Sequence, residues 1–254
     1  MLRFFFRHYD DIVDKYIVFD DGSTDSTLDI LKNHPKVEIR ALPRIEQDSY
    51  VLAAQKLHNS CWKESRHRAD WVIITAIDEL LYHPDLKSYI RKCEKKGITI
   101  IPALGYQMIS ETLPDPGQNI TDSIKKGAPD NAMSKLILFN PDAIKETNYA
   151  AGRHKVRPTG RIKYPESDEL LNLHYKYLSF EYTVQRHREL DDKRGALDKE
   201  KGWGIHYQWT RDELKNQWDV VNGQAVEDVM SPDYKPSALH SAITERWWRK
   251  GFSR

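Results

Sequence analysis

A chain of 254 residues is long enough for one large α/β domain or two small ones. Its 39 Lys and Arg against 38 Asp and Glu leave a net charge of +1, which removes any electrostatic demand for a nucleic-acid partner. No apolar run approaches the ~18 residues of a membrane span, and Met1-Leu2-Arg3-Phe4-Phe5-Phe6-Arg7 is too short and too charged for a secretion signal.

Leu2, Phe5, Phe6, Tyr9 and Val13 have helical spacing and predict a helix over 2–13. Tyr16-Ile17-Val18-Phe19 then reads as a fully buried strand of a parallel sheet. It runs into Asp20-Asp21-Gly22-Ser23-Thr24-Asp25-Ser26-Thr27. Gly22 permits a sharp turn with positive φ, the next four residues are good helix N-caps, and Leu28 and Leu31 follow at helical spacing. Asp20 and Asp21 would therefore stand at the carboxyl end of a strand, where open α/β sheets bind ligands. Alone, the same run also reads as an Asx-rich turn capping a helix.

Val37 to Leu42 alternates as a second strand, and Ser49 caps a helix with the stripe Val51, Ala54, Leu57, Cys61 and Trp62. Trp71 to Ile77 reads as another buried strand, tipped by Asp78 and Glu79, before a helix carrying Leu86, Tyr89, Ile90 and Cys93 up to Gly97. The two cysteines fall on apolar helix positions and read as packed thiols of a reducing cytosol. Ile98–Ile101 and Leu104–Ile109 are expected as two strands, and Lys135–Phe139 as a third. Residues 110–134 between them read as a mobile flap or a disordered loop. Asn119-Ile120-Thr121 matches a glycosylation acceptor by chance.

Further on, Leu170–Leu178 is an apolar run holding His174, which by itself reads as a core residue. A charged helix is expected over 179–194. Trp203 between Gly202 and Gly204 reads as a lid or a core anchor, and Thr210 to Glu213 as a capping box ahead of Leu214, Trp218 and Val221. The tail Arg246-Trp247-Trp248-Arg249-Lys250 has the composition of a membrane-interface contact, or of a segment packed on its own domain.

The Asp20-Asp21-Gly22-Ser23-x-Asp25 run resembles the signature of family 2 glycosyltransferases and their GT-A relatives. Those relatives carry an Asp-x-Asp motif where this chain has Ala76-Ile77-Asp78, followed by Glu79; Asp78 matches the second acid and Ala76 replaces the first. Gly152-Arg153-His154-Lys155 and Leu173-His174-Tyr175-Lys176 resemble a downstream region of bacterial members. The likeness covers residues 2–210.

The resemblance implies a Rossmann-like mixed α/β sheet flanked by helices over 1–178, and a mostly helical extension over 179–254. Family members place a strand before the first helix, so the chain is expected to be truncated or to complete its sheet otherwise. The implied reaction moves a sugar from a nucleotide-diphosphate donor, a UDP-sugar first, to a hydroxyl of a glycan or lipid-linked acceptor, with inversion. Surface polysaccharide synthesis in the cytoplasm, or at the inner face of the membrane, is the implied setting.

The implied roles fall on named residues. Mn²⁺ or Mg²⁺ would sit on Asp78 and His174; Asp20, Asp21, Gly22, Ser23, Asp25, Lys155 and Trp203 would bind the nucleotide-sugar, with Arg153 and Lys176 offsetting diphosphate charge. The base would be Glu111, then Glu79. Ala76 and the absent first strand favour an alternative, a sugar-nucleotide- or glycan-binding protein without catalysis. A nucleotidyltransferase would carry a Gly-rich basic loop after its first strand, and none occurs.

Overall fold

The computed structural model describes residues 1–43, 48–236 and Trp248. In chain order the elements are α1 (Leu2–Tyr9), β1 (Tyr16–Asp20), α2 (Thr27–Lys32), β2 (Val37–Ala41), α3 (Tyr50–Ser60), β3 (Val72–Ile73), β4 (Glu79–Tyr82) and α4 (Leu86–Lys95). There follow β5 (Ile100–Ser110), α5 (Ile120–Ser123), β6 (Gly127–Pro129), β7 (Lys135–Phe139), β8 (Ile144–Glu146), β9 (Thr159–Gly160) and β10 (Leu170–Leu178). Last come α6 (Phe180–Asp192), α7 (Ala196–Glu200) and α8 (Arg211–Gln224). The result is a mixed α/β architecture with helices flanking a mixed sheet, the Rossmann-like class expected for a glycosyltransferase.

The main sheet has the order β3-β7-β5-β10-β4, with β6 added along β5. β5 and β10 run parallel at its centre, and β4 and β7 flank them antiparallel. Ile100, Ile101, Leu104, Tyr106, Leu136, Ile137, Leu138, Phe139, Leu170 and Leu173 are completely buried here. Continuous apolar runs of this kind are what a sheet covered on both faces requires.

β1 and β2 form a separate two-stranded parallel sheet. They are half-buried rather than fully buried, because no third strand of the described residues covers them. α1 joins this ribbon to the main sheet. Phe6 packs on Tyr16 and stacks on His34, while the Tyr9 hydroxyl accepts from Leu81 N at 2.8 Å and donates to Glu79 O. Each ring buried there contributes about 1.5–3 kcal/mol, enough to hold a ribbon that lacks ladder bonds to its neighbour.

Three expectations need correction. The strand read through Trp71–Ile77 is only Val72–Ile73; Asp78 lies in a turn and Glu79 opens β4, an antiparallel edge strand. The two strands expected within Ile98–Ile109 are one long central strand, Ile100–Ser110, since Pro102 sits at the irregular register between β5 and β7, where its missing N–H is tolerated. Residues 110–134 are neither flap nor disordered loop: they hold α5 and β6, and Ile120, Ile124, Ala128 and Met133 are buried. Of the cysteines, Cys93 is buried on α4, while Cys61 is half-buried at the start of a 3-10 turn.

The capping box forms as read, with Glu213 N donating to Thr210 Oγ1 and Thr210 N to Glu213 Oε2. α8 packs Trp218 and Val221 against Ile109, Ala128 and Tyr177. No helix of the described residues is long and apolar enough to cross a membrane. The basic-aromatic tail lies outside the described residues except Trp248, which is buried and donates from Nε1 to Asp168 Oδ1.

Candidate active site

Three adjacent strands bring Glu79 (β4), His174 (β10) and Gln107 (β5) to one level of the sheet and one face of it, because residues paired in register point the same way. The His174 ring is fixed from behind. Gln107 Nε2 donates to Asp130 Oδ2 at 2.8 Å, so its Oε1 must face His174, where it lies 2.8 Å from Nδ1. A carbonyl oxygen only accepts, hence Nδ1 carries a proton and Nε2 faces forward, presenting its lone pair when the ring is neutral. Nε2 stands 3.5 Å from Asp78 Oδ2.

Asp78 is held by its backbone, whose carbonyl accepts from Tyr175 N at 2.8 Å, while its side chain keeps 30% exposure. Burial opposes its charge. With the His174 ring protonated, its charge and an Nε2–H bond to the carboxylate outweigh that, Arg186 adds to it, and the carboxyl is held well below the usual range. Asp78 thus stays ionised at any physiological pH.

Asp130 reaches Gln107 because of a glycine. A Cβ on Gly105 would meet Met133 C at 2.2 Å and Asp130 O at 2.5 Å, so the 130–134 turn lies directly on β5 only where a side chain is missing. One strand over, the pairing of β10 with β5 slips between His174 and Tyr177. Such a bulge re-aims side chains, and here it involves Lys176. The Lys176 ammonium lies over the rings of Tyr177 and Tyr207, without a carboxylate within ion-pair distance among the described residues, and burial lowers its pKa to about 8. Asp78 and Asp130 both act on it.

Glu79 belongs to a different environment. It is 4% exposed and its carboxylate is taken by Lys135 Nζ at 2.6 Å and by the Arg153 guanidinium at 3.2 and 3.3 Å. A carboxylate enclosed by two buried cations cannot reach an acceptor hydroxyl, which removes Glu79 as a base. Arg153, read as facing a diphosphate, instead points into the core. Glu111 is exposed in the turn beyond β5, up to about 13 Å along the strand from Gln107.

The acidic turn folds as a compact Asx turn. Asp20 Oδ2 accepts from Gly22 N at 3.0 Å and Ser23 N at 3.1 Å, Gly22 has φ +74°, and Asp25 Oδ1 accepts from Thr27 N. Burial is opposed by these bonds at Asp20, and both Asp20 and Asp25 sit below the usual carboxylate range, with Lys193 adding to the effect. Asp21 is half-buried in the same turn. Two cations on one helix add small contributions here: the Arg186 charge favours ionised Asp78, and the Lys193 charge, two helical turns on, favours ionised Asp20 and Asp25. Residues i and i+7 share a helix face about 10 Å apart along the axis.

Of the remaining expected residues, Lys155 is exposed on the turn that follows Arg153, and Trp203 is half-buried between Gly202 (φ +68°) and Gly204 (φ +71°). Beyond Gly204 come His206, Tyr207 and an exposed Trp209 and Ile205. The Lys176 ammonium lies 5.7 Å from the Tyr207 ring centroid, which joins this aromatic segment to the end of β10. Sequence reasoning missed Gln107, Asp130 and Arg186. A single Gln inside the apolar run Leu104–Ile109 was the available signal for the first; Asp130 and Arg186 had none, since their roles arise only from tertiary placement.

Among the described residues no group of three His, Cys, Asp or Glu could hold a metal ion; Asp78 and His174 supply two donors. No curated protein matches the chain. A family model described as glycosyltransferase family 92 matches residues 1–216. That match supports the glycosyltransferase class of the resemblance and does not specify family 2 or a bacterial source. With most of its length matched, the chain belongs to glycosyltransferase family 92.

Proposed function

We propose that the protein transfers a sugar from a nucleoside-diphosphate donor, a UDP-sugar, to an acceptor hydroxyl with a divalent cation at Asp78 and His174. The observation that carries this reading is the Asp78–His174 pair itself. Its two donor atoms are 3.5 Å apart, with the His174 lone pair turned forward by Gln107. Adjacent oxygen or nitrogen ligands of Mn²⁺ or Mg²⁺ at about 2.1 Å are about 3 Å apart, so a small closure suffices. Two protein donors fit a cation that takes further oxygens from the substrate's diphosphate and from water, as Mg²⁺-type sites commonly do. When bound, the cation would stabilise charge on the departing diphosphate.

The chain's own residues supply the rest. Lys176 and Arg186, whose charges both couple to Asp78, would offset the second phosphate's charge by position rather than by a shared proton. The turn Asp20–Asp25, with Asp21, Gly22 and Ser23, would take the nucleoside, at the other end of the α6 face. Lys155 and Trp203 would close on the donor from the loops beyond. Trp209 and Ile205, exposed beside Tyr207, offer the apolar face on which an acceptor sugar ring of a glycan or lipid-linked sugar would lie. Glu111 has an exposed carboxylate and is proposed as the base of an inverting, hexosyl-type transfer.

Incubation with a panel of UDP-sugars and Mn²⁺, following UDP release with and without glycan acceptors, tests this. Turnover that needs the cation is expected. Ala76 in the place of an acid favours the second reading, a binding protein without catalysis; saturable donor binding with no UDP release would establish that one instead.

A further inference from the structure

One short turn reaches both halves of the Asp78–His174 pair. Gly152, Arg153 and His154 lie between β8 and β9, and their backbone is unusual: Gly152 has φ +67° and Arg153, although not a glycine, has φ +60°. Non-glycine residues in the left-handed region are uncommon and persist where the surroundings over-determine them. A Cβ on Gly152 would meet His154 Nε2 at 2.5 Å, so the imidazole folds back over the position of the missing side chain.

The first arm is Arg153, 4% exposed. Its Nη1 donates to Ile74 O at 2.5 Å and its Nη2 to the Glu79 carboxylate. Ile74 and Glu79 are the two ends of the β3–β4 connection, and Asp78 is carried within it. The guanidinium fork therefore pins both ends of the segment that presents Asp78. Lys135 cannot do this, for it reaches Glu79 alone.

The second arm is His154. Its Nδ1 donates to Ala132 O at 2.6 Å, and Ala132 N donates to Asp130 Oδ1 at 2.8 Å. Asp130 Oδ2 accepts from Gln107, whose Oε1 fixes His174. The chain His154–Ala132–Asp130–Gln107–His174 is continuous at hydrogen-bond distance.

We propose that the Gly152–His154 turn is the positioning element of the site, its Arg153 arm fixing the Asp78 turn and its His154 arm fixing the relay behind His174. The proposal rests on the cation site described above, and it assigns the Gly-x-His part of the sequence motif to support rather than to substrate. Neither arm is itself proposed as a ligand; both act through the residues that would hold the cation. Groups that orient a ligand in this way commonly govern metal affinity by about 10- to 100-fold.

The test uses the full chain and the variants His154→Ala and Arg153→Lys. Mn²⁺ affinity without donor is measured by electron paramagnetic resonance, and the His174 tautomer in the metal-free chain by ¹⁵N NMR. In His154→Ala, a loss of about 10- to 100-fold in Mn²⁺ affinity is expected, together with loss of the single Nδ1–H tautomer, at a thermal midpoint within about 3 °C of wild type. Arg153→Lys, which keeps the charge on Glu79 but not the fork to Ile74 O, is expected to fold and to lose Mn²⁺ affinity without a change of tautomer. Where Arg153 variants fold poorly, the charge-balanced pair Arg153→Met with Glu79→Gln replaces them.

Unchanged Mn²⁺ affinity and tautomer in folded His154→Ala would overturn the proposal. Should wild type take up no Mn²⁺ at all, the cation reading fails separately, and the tautomer decides: altered in His154→Ala, the positioning role stands; unaltered, it falls.

Discussion

Gln107 and His174 are paired in register on adjacent parallel strands, and their side chains meet at 2.8 Å on the face that also carries Asp78's turn. The amide is itself oriented by Asp130, so the direction of the His174 lone pair is set two residues away from the imidazole. A central strand is the most rigid place in the molecule to mount such a relay, since β5 is hydrogen-bonded on both sides and buried almost throughout.

Gln107→Leu removes that orientation while keeping the volume of a buried side chain. Mn²⁺ affinity should fall about 10- to 100-fold, with UDP affinity in EDTA unchanged. Titration of Mn²⁺ against variant and wild type reads the first quantity, and calorimetry with UDP the second. Equal Mn²⁺ affinities would mean that the relay does not orient the site.

Glu79→Ala leaves Lys135 and Arg153 buried without their shared counter-charge, at 3% and 5% side-chain exposure. Breaking a buried pair by removing one partner costs about 3–5 kcal/mol. Urea unfolding should show a loss of that size, and Glu79→Gln, which retains a hydrogen-bond acceptor, should lose less. A loss below about 1 kcal/mol for the alanine variant would contradict the structural role given to Glu79.

Stability should fall with pH because of the buried histidines. His187 is 2% exposed; burial first, then the Lys176 charge, push its pKa down to about 4, against a weaker opposing effect of the His206 backbone. The unfolded chain takes up this proton near pH 6.5 and the folded chain does not until about pH 4. Stability is therefore complete above that window and declines through it on acidification, by up to about 1.4 kcal/mol per pH unit for this residue. His58 and His206, both pushed to about 3, add in the same direction. In His187→Phe the urea midpoint should depend less steeply on pH between 6.5 and 4. Parallel slopes in variant and wild type would show that His187 does not titrate this way.

The elements near the chain surface were readable because local chemistry decides them. Gly22 with the acids around it, Ser49 as the α3 cap and the Thr210–Glu213 box all act within a few residues of themselves. The run Trp71–Ile77 misled because its apolar content reflects proximity to the core, while only two residues find a ladder partner on β7. Likewise the polar segment 110–134 reads as loose because its Pro, Gly and polar residues dominate, yet Ile120, Ile124 and Ala128 anchor it. At the site, Asp78 and His174 could be singled out from the sequence as candidate cation ligands, one following an apolar run and one within another. The opposite fates of Asp78 and its neighbour Glu79 were not legible there, since they depend on Lys135 and Arg153, 56 and 74 residues further along the chain.

The most direct measurement is calorimetric titration of UDP into wild type and Asp78→Ala, each with Mn²⁺ and with EDTA, beside a thermal-unfolding control. Wild type should bind UDP more tightly with Mn²⁺ than with EDTA, and the variant, folded to the same midpoint within about 3 °C, should show the same weak affinity in both. Mn²⁺-enhanced UDP binding that survives intact in Asp78→Ala would contradict a cation site at Asp78 and His174.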